Sequence, residues 1–186
     1  MRIIAGSVRG RSFDAPAGRD TRPTLDRVKE AIFGSIQFQV PGARVLDLFS
    51  GSGNMGLESL SRGAAEAICV DVSPACAALI RRNGEKLGLT DGLQVLNAEY
   101  GAALSGLAAQ GKRVDIVFLD PPYASGFAAD AVKRIFRDGL LQRDGIVIVE
   151  HAFDQPPELG EGPWEIARVK RYGACGVTTL IWREPK

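Results

Sequence analysis

From residue 43 onward, short apolar runs alternate with helix-spaced segments, and that rhythm restricts the possible folds more than anything else in these 186 residues. The apolar runs are Arg44-Val45-Leu46-Asp47-Leu48, Ala67-Ile68-Cys69-Val70-Asp71, Leu93-Gln94-Val95-Leu96, Val114 to Leu119 and Gly145 to Glu150. A glycine-rich turn opens the first intervening helix, which closes near Gly63. Ser73-Pro74 starts the next with a capping residue and a proline at its first position, and Gly88 stops it. Residues 99–109 and 126–137 supply two more. Trp164 to Lys170 and Gly176 to Trp182 read as a closing hairpin. Strands spaced by helices call for an α/β fold, here a seven-stranded, mostly parallel sheet with helices on both faces. Such sheets take ligands beyond the C-terminal strand ends. The residues at four of those ends, Asp47, Asp71, Asn97 and Asp120, are all polar.

Ahead of this core, residues 1–13 read as strand, turn, strand around Gly6, residues 14–23 as a connecting loop, and Thr24 as the cap of a helix. In that helix Leu25, Val28, Ile32 and Ile36 recur at three- and four-residue spacing, and Pro41-Gly42 ends it. We expect one domain, 1–186, with residues 1–23 as a basic β-hairpin and loop extension and 24–186 as the core. Net charge is only +1, but residues 1–30 carry seven Arg/Lys against four acids, a local basic arm available for phosphates. No stretch approaches the ~20 apolar residues of a membrane span and no signal-peptide core is visible, so a soluble, cytoplasmic protein is expected. The three cysteines, Cys69, Cys76 and Cys175, lack C-x-x-C spacing and read as reduced thiols.

Gly51, Gly53 and Gly56 match G-x-G-x-x-G between a strand and a helix, with Asp71 twenty residues beyond Gly51. Taken alone this is a dinucleotide fingerprint. Asp47, four residues before the first glycine, points elsewhere. Its charge would oppose the phosphates of a dinucleotide but attract the ammonium or sulfonium of S-adenosylmethionine (SAM). With either cofactor, Asp71 would hold two ribose hydroxyls, and Asn97-Ala98 would neighbour the adenine.

Asp120-Pro121-Pro122-Tyr123 follows the fourth strand. Two prolines fix φ and remove two donors, leaving a rigid shelf of carbonyl acceptors beside a carboxylate and an aromatic ring. This is suited to the exocyclic amine of a planar base. Asp120 and a shelf carbonyl would each accept one amine hydrogen, drawing the nitrogen lone pair out of the ring, and Tyr123 would stack on the base. Guanine presents N1–H beside its amine where adenine presents an acceptor, which favours guanine. Adenine-specific enzymes also use an Asp in this motif.

On these residues the chain resembles the bacterial 16S ribosomal RNA guanine-N2 methyltransferases (RsmD-like), within the Rossmann-like class I SAM-dependent methyltransferases. The resemblance spans Arg2-Ile3-Ile4-Ala5-Gly6, Arg9-Gly10-Arg11, Arg22-Pro23-Thr24, Asp26 to Phe33, Leu46 to Gly53, Gly56-Leu57-Glu58, Ser61-Arg62-Gly63, Asp120 to Tyr123 and Tyr172-Gly173. It implies SAM contact from Asp47, Phe49, Gly51, Gly53, Asp71, Val72, Asn97, Ala98 and Asp120. It also implies amine binding by Asp120, Pro121, Pro122 and Tyr123, and an RNA grip by Arg2, Arg9, Arg11, Arg22 and Arg27. The implied partner is 16S rRNA in the assembling small subunit, met by a monomer without a metal. Ser50 and Asn54 depart from the small residues common at those positions, and Asn97-Ala98-Glu99 is a loose match.

Other readings explain less. A DNA adenine or cytosine amino-methyltransferase would need a base-reading domain that the chain has no room for after residue 150, and a glutamine-directed enzyme usually carries Asn where Asp120 stands. An NAD-dependent oxidoreductase leaves Asp47 and Asp120 to Tyr123 without a role, and a non-catalytic RNA-binding protein needs only the arm. His151, Trp164 and Trp182 read as structural.

Overall fold

The computed structural model describes residues 1–16, 23–122 and 126–183. Its elements run α1 (Pro23–Ser35), β1 (Arg44–Leu48), α2 (Asn54–Ser61), β2 (Glu66–Asp71), α3 (Pro74–Leu87), β3 (Leu93–Asn97), α4 (Tyr100–Ala109), β4 (Val114–Leu119), α5 (Phe127–Arg137), β5 (Leu141–Ala152), β6 (Trp164–Tyr172) and β7 (Cys175–Trp182). The seven strands lie in the order β3-β2-β1-β4-β5-β7-β6. The first five run parallel, and β7 pairs antiparallel with both β5 and β6. The chain winds outward from β1 to β3 and then returns to place β4 on the other side of β1. A crevice therefore opens above the C-terminal ends of β1 and β4.

Alternation along each strand divides the core. Leu46, Leu48, Val117, Leu119, Val147 and Val149 pack with α4 and α5. Their neighbours Val45, Ile116, Phe118, Ile146 and Ile148 face Val28, Ile32 and Phe33 of α1 and Ile36 just beyond it. Burying such a side chain contributes ~1.5–3 kcal/mol, so a one-residue slip of a strand would expose a whole row. The expected structural residues serve the core: Trp164, buried, and Trp182, half-buried, both pack on Phe136, at 5.4 and 4.8 Å between ring centroids. Both ring nitrogens of His151 are engaged, Nε2 with Thr178 Oγ1 and Nδ1 with the Ala152 carbonyl, each at 2.9 Å. All three cysteines are free thiols. Among the described residues no helix is long and apolar enough to cross a membrane.

Three local expectations are corrected. Residues 1–13 fold back on themselves through one antiparallel bridge, Arg2–Ser12, and not through two strands. Turns at Gly6 and Gly10, with φ of 91° and 81°, interrupt the extended backbone. Ile3 N–H still donates to Arg11 (3.0 Å) and Phe13 N–H to Met1 (2.9 Å). Helix α1 begins at Pro23, which puts Thr24 inside the first turn, and it stops at Ser35, short of Pro41-Gly42. Strand β5 starts at Leu141, four residues before Gly145, because Leu141 pairs with Val114 ahead of a bulge.

The N-terminal arm is fastened to α2 by a buried acid. Glu58, fully shielded from solvent, accepts the backbone N–H of Ile4 (2.8 Å) and Ala5 (3.0 Å), pairs with Lys29 Nζ at 3.2 Å and binds Arg62 Nε at 2.7 Å. Lys29 also donates to the Arg2 carbonyl and to Asn54 Oδ1. Lys29 is only 2% exposed, so it is not available to phosphates as the charge pattern suggested.

Candidate active site

The site grows out of the turn between β1 and α2. Phe49 closes β1 with φ of 70°, a left-handed conformation costly for a bulky residue. Ser50 stitches the turn to the sheet: its hydroxyl donates to the Asp47 carbonyl and accepts from Val70 N–H (2.9 Å). Gly53, at φ 79°, caps α2 in the left-handed region, where a side chain would be strained. A Cβ on Gly56 would strike Cys69 Sγ, so this glycine lets α2 lie close to β2.

Asp47 is 4% exposed, and its Oδ2 accepts from Gly56 N–H at 2.9 Å, at the N-terminal end of α2. Burial pushes its carboxyl up to about 7. The backbone donors of Gly56 and Met55 oppose that rise, and the charges of Asp120 and Asp71 add to it. A helix N-terminus in this position is where a dinucleotide's diphosphate binds, and here a carboxylate already fills it. Three acids held close together repel phosphate and attract a cation, and they fit the ammonium and sulfonium of SAM.

Above these acids lies a largely apolar cleft of about 430 Å³. Phe49, Tyr100 and Phe127 form its aromatic wall, with Phe49 and Phe127 nearly parallel at 6.3 Å and Tyr100 5.3 Å from Phe49. Tyr100 is fixed by donating its hydroxyl to Asp130 (2.9 Å), and burial with that acid raises its pKa to about 12. Asp71 enters the cleft with Oδ2 accepting Gly51 N–H (2.8 Å) and Oδ1 accepting Ser73 N–H (2.9 Å). Each oxygen keeps acceptor capacity for a hydroxyl. An apolar slot beside an acceptor pair suits an adenosine.

Of the residues picked out from sequence, Phe49, Gly51, Asp71, Val72, Ala98, Asp120 and Pro122 line this cleft. Asp47 and Gly53, both buried, do not line it. Asn97 is exposed beside it, its side-chain amide donating to the carbonyls of Asp71 and Val72 (both 3.0 Å), so it holds the turn that presents those two residues. Pro121 is buried and lines a neighbouring cavity. Tyr123 and Arg22 lie outside the described residues. Sequence reading missed Tyr100, Phe127 and Glu99 as cleft residues, and Pro16 of the loop after the arm. Tyr100 and Phe127 open the helices that follow β3 and β4, a position that could have flagged them.

The described basic candidates differ in what they do. Arg9 and Arg27 are exposed, and Arg2 pairs with Asp26 (3.0 Å). Arg11 also serves the fold, because its guanidinium donates to the carbonyls of Leu87 (2.8 Å) and Lys86 (2.6 Å) and so closes the C-terminal end of α3.

A family model described as "Conserved hypothetical protein 95" matches residues 1–181. The chain belongs to that family. It is 40% identical over 179 residues, 95% of this chain and 96% of the relative, to the Bacillus subtilis (strain 168) protein YlbH, provisionally named an rRNA methyltransferase. It is 33% identical to Ribosomal RNA small subunit methyltransferase D of Escherichia coli (strain K12), covering 93% of this chain and 85% of that one. The solved structure of the Escherichia coli protein yhhF, provisionally named a methyltransferase, superposes with a TM-score of 0.85 at 30% identity, covering 98% and 97% of the two chains. The fold is that of the class I methyltransferases, and SAM is the cofactor, which displaces the dinucleotide alternative.

Proposed function

We propose that this family member methylates the exocyclic N2 amine of a guanine in 16S rRNA of the small ribosomal subunit. The observation that carries the reading is the placement of Asp120 and Pro122 on the wall of the cleft that also holds Asp71 and the glycine turn. An amine on the shelf therefore faces the cofactor. The small-subunit rRNA methyltransferase name of the Escherichia coli relative supports the choice of RNA.

Bound SAM supplies a methyl group made electrophilic by its sulfonium. The protein's contribution is placement and charge. Asp120 accepts one amine hydrogen and stabilises the positive charge that grows on nitrogen, and a carbonyl of the Pro121-Pro122 shelf accepts the other. Both contacts draw the lone pair out of conjugation. Tyr123 stacks on the base. Asp71 holds the ribose, Phe49, Val72 and Ala98 enclose the adenine with the aromatic wall, and Asn97 braces the turn behind them. Asp47 and Gly53 shape the floor. No dedicated base is needed, since the alkylated amine loses its surplus proton to water.

The test is transfer of labelled methyl from SAM to small subunits from a strain lacking this gene, followed by nucleoside analysis. We expect N2-methylguanosine in the RNA. Label in adenosine, in protein or nowhere would overturn the reading. Asp120→Ala should abolish transfer while SAM affinity stays within about tenfold, the scale of one lost polar contact. Retained turnover would remove Asp120 from its role.

A further inference from the structure

On the far side of the Pro121-Pro122 shelf is a second cavity, of about 520 Å³, that no step above uses. Pro122 lines both cavities and so forms the partition between them. The second is walled by Pro121, by Ala128 and Ala129 of α5, by the turn Gln155 to Glu158, and by Glu150. Register shows where Glu150 stands. Leu119, the last residue of β4, pairs with Val149, so Asp120 follows the end of β4 while Glu150 continues β5 beside it. The two acids thus leave the last paired rung of β4 and β5 on adjacent segments of chain. Their mutual influence is visible: burial first, and then the charge of Asp120, raises Glu150 to about 7. Among the described residues its hydrogen-bond partner is the Cys175 thiol, which donates to Oε1 at 3.4 Å. A carboxylate can accept about four hydrogen bonds, so most of its capacity remains.

We infer that Glu150 is the specificity residue of the target pocket: the guanine ring lies in the second cavity, its amine reaches across the shelf to Asp120, and Glu150 accepts the adjacent N1–H. The inference rests on the N2-guanine reading above. Its logic is that of a site built for one pattern of donors. With the amine committed to Asp120, the neighbouring ring position falls on the Glu150 side of the partition. A carboxylate there welcomes a donor and repels an acceptor. A base that carries a 2-amino group but an acceptor at N1 would leave Glu150 facing a lone pair.

2,6-Diaminopurine is that base. The experiment uses the full-length enzyme and reconstituted small subunits whose RNA, joined by splinted ligation, carries guanine or 2,6-diaminopurine at the methylated position. At pH 8.5, where Glu150 is ionised, wild type should favour guanine by roughly a hundredfold in kcat/KM. In Glu150→Gln the amide can donate to the ring nitrogen, and the preference should fall to about tenfold or less with SAM affinity unchanged. Glu150→Asp should keep the preference at a lower rate. The inference is overturned if wild type methylates both bases alike, or if Glu150→Gln keeps the wild-type ratio. Should Glu150→Gln fail to fold, Glu150→Ala takes its place: with the carboxylate gone the preference should likewise fall to about tenfold or less, and a retained wild-type ratio overturns the inference. If wild type yields no N2-methylguanosine on the guanine substrate, the functional reading itself has failed and this inference falls with it. That result is distinct from a lost base preference.

Discussion

Asp47 lies where water scarcely reaches, and its proton therefore governs part of the stability of the apo-protein. Its pKa in the folded chain, about 7, stands above the ordinary 3.8 because burial penalises the charged form. A raised carboxyl contributes stability that is whole below the unfolded value and is lost as pH climbs through the folded one. Asp47→Asn never ionises, so it should become more stable than wild type as pH rises from about 4. The gap should level off above pH 7 at roughly 4 kcal/mol, some three pH units at 1.36 kcal/mol each. Urea unfolding of both proteins between pH 4 and 8.5 checks this, and a gap that stays flat would show that Asp47 is not the cause. The same change should weaken SAM binding. The type of this residue was legible from its place at a strand end beside glycines. Its direction was not, because nothing in the string Leu46-Asp47-Leu48 shows that the carboxylate turns onto the backbone of Met55 and Gly56 and not toward the ligand.

At the scale of elements, the arm, α1 and α2 meet on Glu58. Glu58→Ala would leave Lys29 buried and charged with no anion, and would strip the Ile4 and Ala5 N–H groups of their acceptor. Removing one partner of a buried pair costs about 3–5 kcal/mol, a large share of a small domain's stability. A fall of that size in the unfolding free energy from urea titration is expected, with far less loss in an exposed control such as Glu85→Ala. A near-neutral Glu58→Ala would show that the clamp does not hold the arm. Helices and strands were legible because their apolar residues recur at fixed periods: β1 to β4 and the body of β5 lie on the apolar runs, and β6 and β7 on the expected closing hairpin. The clamp was not. Lys29 and Glu58 each look like ordinary surface charges until α1 and the arm close over them. The start of β5 was hidden for a related reason: Gln142, Arg143 and Asp144 read as a loop, yet pairing with β4 extends the strand back through them.

Over the whole molecule, charge is divided, with residues 1–30 at +3 and the remainder at −2. If the arm grips phosphates, RNA affinity should fall steeply with salt. Arg9→Ala should then lower affinity evenly across RNA sequences and reduce the salt slope by about one, as expected for one lost phosphate contact. Equilibrium binding at several salt concentrations measures it, and an unchanged slope would move the RNA elsewhere. Arg11 is the wrong choice for this experiment, since its guanidinium also closes α3 and its loss mixes stability with binding. From sequence, residues 1–23 read as a basic extension of the core. The folded chain buries Ile3 and Phe13 against Leu57 and Leu87 and hangs the arm's backbone on Glu58. Cutting the arm away would open the body of the protein beside the glycine turn. If the arm does grip RNA, a descendant of this chain cannot trade that grip for a new one by swapping the first thirteen residues alone. The same stretch of chain keeps the core covered, so a change of grip and a repair of the core would have to come together.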